Sequence, residues 1–170
     1  MAQFENIFRS SGNPLPAKHP LSHILVGGLG GIVAIAILAL MDGSLEAALL
    51  LGSFGASCVL IFGFPEAPFS QPRNIIAGHG LSSFVGLLLL TLFGPTWWAL
   101  ALAAGLAIAL MMATRTVHPP AGSNPVIIFL AQPGWDFLLF PTLTGAVLLV
   151  IVAWVFLKLS KRSAYPAYWW

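Results

Sequence analysis

The stretch Thr114-Arg115-Thr116-Val117-His118-Pro119-Pro120-Ala121-Gly122-Ser123-Asn124-Pro125 places a cation, an imidazole and several hydroxyl and amide groups between two apolar runs, Trp97 to Ala113 and Val126 to Leu130. A guanidinium at membrane depth costs a few kcal/mol unless something pairs with it. The residue types therefore point to a site for an anion or a proton. Arg115 would hold an anion permanently, whereas His118 would add charge when protonated, or pass a proton on. Pro119 disfavours helical geometry at His118, so the helix from Trp97 is expected to stop before it and leave the imidazole on an extended His118-Pro119-Pro120. If the helix instead runs on through Val117, Arg115 and His118 share a side, being three apart.

Two helix starts flank this chemistry. Ser123-Asn124-Pro125 carries a capping residue followed by proline at the first helical position, where a missing N–H costs nothing. The free N–H groups of such a turn form an anion-binding concavity. Ser70-Gln71-Pro72-Arg73-Asn74 repeats the pattern, with Ser70 or Gln71 as the cap and Arg73 in the first turn. One wall of the expected site is Arg115, His118, Ser123 and Asn124; the other is Gln71, Arg73, Asn74 and His79. His79 lies one turn inside an apolar segment, between Gly78 and Gly80, and an ionisable residue there is a candidate by default. Ser53 and Ser57 sit four apart in a run of small residues. That run, like Gly27, Gly28, Gly30 and Gly31, reads either as a tight helix seam or, for the two hydroxyls, as the lining of a polar path. His19 and His23 read as interfacial, and Glu66 as a balance for Arg73.

The elements that must hold these groups are transmembrane helices. Of 170 residues 58% are hydrophobic and 7% charged, against about a quarter charged in soluble domains. Five windows approach or reach a bilayer-spanning length: Ile24 to Met41, Ala47 to Phe64, Ile75 to Phe93, Trp97 to Ala113 and Phe137 to Leu157. None reads as a removable signal. The cations are Arg9, Lys18, Arg73, Arg115, Lys158, Lys161 and Arg162. All fall on the cytoplasmic side, with Asp42, Glu46 and Asp136 outside, only if residues 119 to 133 also cross. Ala121 to Pro133 supplies about 20 Å of helix and an extended His118-Pro119-Pro120 about 10 Å more, which just reaches the ~30 Å hydrocarbon thickness. The expected fold is an all-α polytopic bundle of five full helices plus a short, broken one after His-Pro-Pro: six passages, both termini inside. Non-helical backbone at that depth must line a cavity or be buried in protein.

The short Pro-containing similarity between residues 70 to 72 and 123 to 125 would mark parallel repeats. The aromatic residues near the predicted interfaces read as belts, and Cys58 as a buried, inert thiol. No phosphate loop, Cys-x-x-Cys pair, His-Glu-x-x-His helix, two-metal acidic pair or Gly-x-Ser-x-Gly elbow occurs. Neither an enzyme, a metal site, a cofactor nor a nucleic-acid partner is expected.

In Arg115-Thr116-Val117-His118-Pro119-Pro120-Ala121-Gly122, in Gly52-Ser53-Phe54-Gly55-Ala56-Ser57 and in Pro68 through His79, the chain resembles the HPP family of small integral membrane proteins, nearly end to end. The resemblance implies nitrite transport, a role known for members in cyanobacteria and plastids. The family is described as having four transmembrane helices; the charge distribution here requires more. The expectation is thus a single transmembrane domain over residues 1–170: an arm (1–22), a bundle (23–157) and a tail (158–170). It would lie in a bacterial plasma (inner) membrane as a multi-pass, self-associating transporter or channel for nitrite or a similar small monovalent anion, with or without a coupled proton. The alternative is a scaffold or sensor whose polar insert docks a partner protein.

Overall fold

The computed structural model describes residues 15, 17–45 and 51–169, and among them there is helix and short connection but no strand. Arg9, Glu46 and the side chain of Asp42 lie outside the described residues. The described residues form six α-helices in order: α1 (Leu21–Leu45), α2 (Gly52–Gly63), α3 (Pro72–Phe93), α4 (Trp97–Ala113), α5 (Asn124–Ala131) and α6 (Thr144–Ser160). Leu21–Leu40, Pro72–Phe93 and Trp135–Ser160 are long and apolar enough to cross a membrane, and Gly52–Gly63 and Trp97–Ala113 are shorter apolar helices. The chain is a polytopic helical membrane protein.

Small residues set the helix contacts. On α4, Ala99, Ala103 and Ala107 recur every fourth residue and are fully buried with Val85, Leu87 and Leu89 of α3 and Ile128 of α5. Leu102, Leu106 and Ile108 on the other faces are exposed, as expected for a helix with one packed stripe and the rest toward lipid. On α1, Gly30 lies so close to the Phe62 and Phe156 rings that a Cβ there would collide with both. Ala34 and Leu38 continue that buried stripe.

One expected helix departs from the sequence reading, and another, α4, keeps its expected bounds but ends in a turn that separates its polar residues. The window from Phe137 to Leu157 is not one helix: a 3-10 turn (Trp135–Leu138) and a kinked turn (Leu139–Leu143) precede α6, with Phe140 extended at φ −125° and ψ 121°. Pro141 disfavours the helical region for the residue before it. After α4, the chain turns sharply. Thr116 N–H donates to Met111 O (2.9 Å) and Arg115 N–H to Met112 O (3.2 Å), with Arg115 at φ 58°. This is a Schellman stop with arginine where glycine is usual. It ends the helix at Ala113, so Arg115 points out, exposed, while His118 turns in, fully buried; the two do not share a side. Since the left-handed region costs a non-glycine residue roughly 1 kcal/mol, Arg115→Gly is expected to raise the melting temperature. A lower one would mean that the arginine side chain contributes more than its backbone costs.

The extended tripeptide is also shorter than expected. Only His118 is extended (φ −135°, ψ 100°), and Pro119–Ser123 form a 3-10 helix leading into α5. Proline's fixed φ suits such a turn, and its missing N–H is lost at a position that has no partner anyway.

From there the chain climbs α3 rung by rung. Arg73 donates to Thr114 O (3.0 Å), Asn74 to Val117 O (2.9 Å) and Ser82 to Ala121 O (2.6 Å). Gly86 then packs against Pro125 and Ile128. Residues 73 to 86 of α3 rise about 20 Å, so the His-Pro-Pro segment and α5 follow α3 in the same direction for most of the hydrocarbon thickness. At the foot of this ladder the ends of α2, α4 and α6 meet the start of α3. Arg162 donates to the Phe62 and Gly63 carbonyls, and Tyr168 to Pro68 O. The described cations, Lys18, Arg73, Arg115, Lys158, Lys161 and Arg162, gather at this end of the bundle.

Candidate functional site

About two turns above the cationic end, α2, α3 and the His-Pro-Pro segment bring two imidazoles to one hydroxyl. Ser57 Oγ lies 2.8 Å from His118 Nε2 and 3.1 Å from His79 Nε2. All three residues are fully buried, and the imidazole centroids are 5.0 Å apart. Gly78 makes this possible, because a Cβ there would stand 2.9 Å from His118 Cβ and 3.0 Å from Thr116 O.

The outer partners fix the protons. His118 Nδ1 is 2.6 Å from Phe69 O, a carbonyl that only accepts, so Nδ1 carries a hydrogen. In the neutral ring, Nε2 is then an acceptor and Ser57 donates to it. On the other side the Asn124 amide nitrogen donates to His79 Nδ1 (3.1 Å), so the neutral His79 carries its hydrogen on Nε2 and donates to Ser57 Oγ. The result is a directed chain: Asn124 to His79 to Ser57 to His118 to the Phe69 carbonyl. Asn124 also donates to Ser83 Oγ (2.9 Å), which in turn shares a hydrogen bond with Thr142 Oγ1 (3.1 Å).

Ser57 has a second acceptor within reach, the Ser53 carbonyl at 3.1 Å. Its hydroxyl can turn from His118 to Ser53 O when His118 takes up a proton, after which His118 Nε2–H donates to Ser57 Oγ. No hydrogen bond is lost in the exchange. Two buried polar atoms beside the chain, Ser53 Oγ and Asn124 Oδ1, have no partner among the described residues. Glu66 and Asp136, the acids whose side chains are described, are both exposed, so neither supplies a buried counter-charge for an imidazolium.

Of the residues singled out by sequence, His118, His79, Ser57, Ser53 and Asn124 come together here. The others do not join them. Arg115 is exposed at the α4 stop, and Ser123 is exposed with its hydroxyl donating to Pro120 O (2.8 Å). Arg73 is held at the Thr114 carbonyl. Gln71 is buried in a bracing role, donating to Pro65 O and Ala67 O and accepting from Ala167 N–H. Asn74 joins Val117 O to the Tyr168 hydroxyl. The expected side-chain caps are not made at Gln71 or Ser123. Nor is the turn before α5 an open concavity, since the Ala121 and Asn124 N–H groups already donate to His118 O and Ala121 O within the 3-10 helix. Glu66 lies near Arg162.

Sequence reading missed Ser82, Ser83 and Thr142, which hold the segment and Asn124 in place. Each left a signal: a Ser-Ser pair three and four residues after His79, and Pro141-Thr142 interrupting an apolar window.

The fold and this buried neutral chain define a helical membrane protein with a polar centre threaded by a broken segment. The chain belongs to the HPP family: the model of the HPP transmembrane region matches residues 16–166. It is similar to two transmembrane proteins of Dictyostelium discoideum, one 35% identical over 92% of this chain and 58% of that protein, the other 33% identical over 94% and 55%. The chain therefore spans little more than half the length of these relatives. No solved structure matches it.

Proposed function

We propose that the protein carries a small monovalent anion together with a proton, with nitrite the first anion to test. The supporting observation is the hydrogen-bond chain His79–Ser57–His118, in which a protonated imidazole can be accommodated without breaking a bond but has no buried carboxylate beside it among the described residues. A lone charge in a low-dielectric core is expensive, and pairing removes much of that cost. An anion arriving with the proton supplies the partner, and the pair leaves as it came, without net charge. Ser53 Oγ, unpaired and buried, is a donor that an anion beside the chain can use. The cations at one end of the bundle raise the local anion concentration there but stand outside the buried chain. A bacterial plasma membrane belongs to this same proposal, as does the expected self-association.

The test is nitrite uptake into vesicles containing the purified protein. Uptake should rise as the outside is acidified, and His118→Ala should reduce it to the level of empty vesicles, the control for free nitrous acid crossing the bilayer. Arg115→Ala should leave it nearly unchanged. Normal uptake in a folded His118→Ala variant would overturn the site. Absence of uptake, with a second protein co-purifying, would favour the scaffold reading.

A further inference from the structure

A cavity of about 410 Å³ opens between α1 and α2, floored by Gly28, Gly31 and Gly55 and closed at the cationic end by His19, His23 and Arg162. A second cavity of about 300 Å³ shares those three residues and extends toward Glu66 and Ser163. The glycines of α1 divide into two kinds. Gly27 and Gly30 face protein: a Cβ would meet Phe62 O at Gly27 and the Phe62 and Phe156 rings at Gly30. Gly28 and Gly31, like Gly55 on α2, would have nothing within 4 Å of a Cβ. Glycine in a helix costs roughly 1 kcal/mol relative to alanine, and no neighbour among the described residues requires it at these three positions.

We propose that this groove is a binding site for an anionic phospholipid, its phosphate at Arg162, His19 and His23 and one acyl chain along Gly28, Gly31 and Gly55. Arg162 uses two of its N–H groups on the Phe62 and Gly63 carbonyls, and a guanidinium has five. The remaining donors suit a phosphate in the fork geometry that arginine favours. Basic pockets between helices at a membrane face have this chemistry. Burial disfavours the charge on Arg162, while Glu66 nearby favours it; a phosphate adds to the latter. A second copy of the chain fits less well. A two-fold pairing would set like-charged mouths together, and one turn of a helix 10 Å across fills roughly 420 Å³, the whole of the larger cavity.

The protein is purified from vesicles of equal phosphatidylcholine and phosphatidylglycerol, and the lipid it retains is identified by native mass spectrometry. Phosphatidylglycerol should be enriched at least fivefold over phosphatidylcholine, and Arg162→Gln should return the ratio to that of the vesicles. Gly28→Leu with Gly31→Leu, whose Cβ atoms would have no described atom within 4 Å and whose branches fill the groove, should remove the retained lipid while leaving helix content unchanged. Retention of both lipids in the bulk ratio, or unchanged enrichment in either variant, overturns the site. So does a dimer that the double leucine variant abolishes, which would assign the groove to a second copy. None of these outcomes depends on nitrite uptake.

Discussion

Ser57→Ala is expected to reduce proton-coupled uptake to the level of empty vesicles and to lower stability by several kcal/mol. The substitution removes one oxygen but strands two partners: His118 Nε2 loses its donor and the His79 Nε2–H its acceptor. Each buried polar group left unpaired costs about 1–3 kcal/mol, a large share of the 5–15 kcal/mol that holds a typical domain together. Thermal unfolding in detergent, measured beside uptake, checks both halves. Wild-type stability with lost uptake would mean that the rings find other partners and that Ser57 matters only for the proton; unchanged uptake would remove Ser57 from the path.

Gly78→Ala should have the next largest effect. Its methyl would stand 2.9 Å from His118 Cβ and 3.0 Å from Thr116 O, and neither is the flexible end of a side chain. The His-Pro-Pro segment must move off α3, which breaks the alignment of His118 with Ser57 and costs about 1–3 kcal/mol by overpacking. Gly80→Ala is the matched comparison. There a methyl meets Leu143 Cδ2 at 2.9 Å, a terminal carbon that can swing aside, so a much smaller loss is expected. If the two variants melt and transport alike, the close approach at Gly78 does not position His118.

Much of this architecture was legible in the chain. Hydrophobic length located the spans, and Pro119, Pro72 and Pro125 marked where helices stop and start, because proline acts on its own backbone and its neighbour's. Ser57, His79, His118 and Asn124 stood out as polar groups that an apolar segment would otherwise not carry. What could not be read was which of the polar residues face one another. Arg115 and His118 are three residues apart, yet a Schellman turn sends them in opposite directions. That outcome depends on the backbone of Arg115 entering the left-handed region, a conformation its residue type does not announce. Arg115 and Arg73, the cation of each expected wall, likewise lie away from the imidazoles, exposed at the α4 stop and held at the Thr114 carbonyl, and a 3-10 turn consumes N–H groups that an open helix start before α5 would have offered. His19, His23 and Arg162 lie 139 or more residues apart in part, and only the packing of α1, α2 and the tail places them around one groove.

Simultaneous recording of nitrite uptake and internal pH, in vesicles whose membrane potential is clamped, tests the coupling most directly. Uptake through a neutral His–Ser–His chain should bring in one proton with each anion, acidify the interior in step, and proceed at the same rate at every clamped potential. Uptake that follows an inside-positive potential without acidifying the interior would contradict it, because the anion would then be crossing alone.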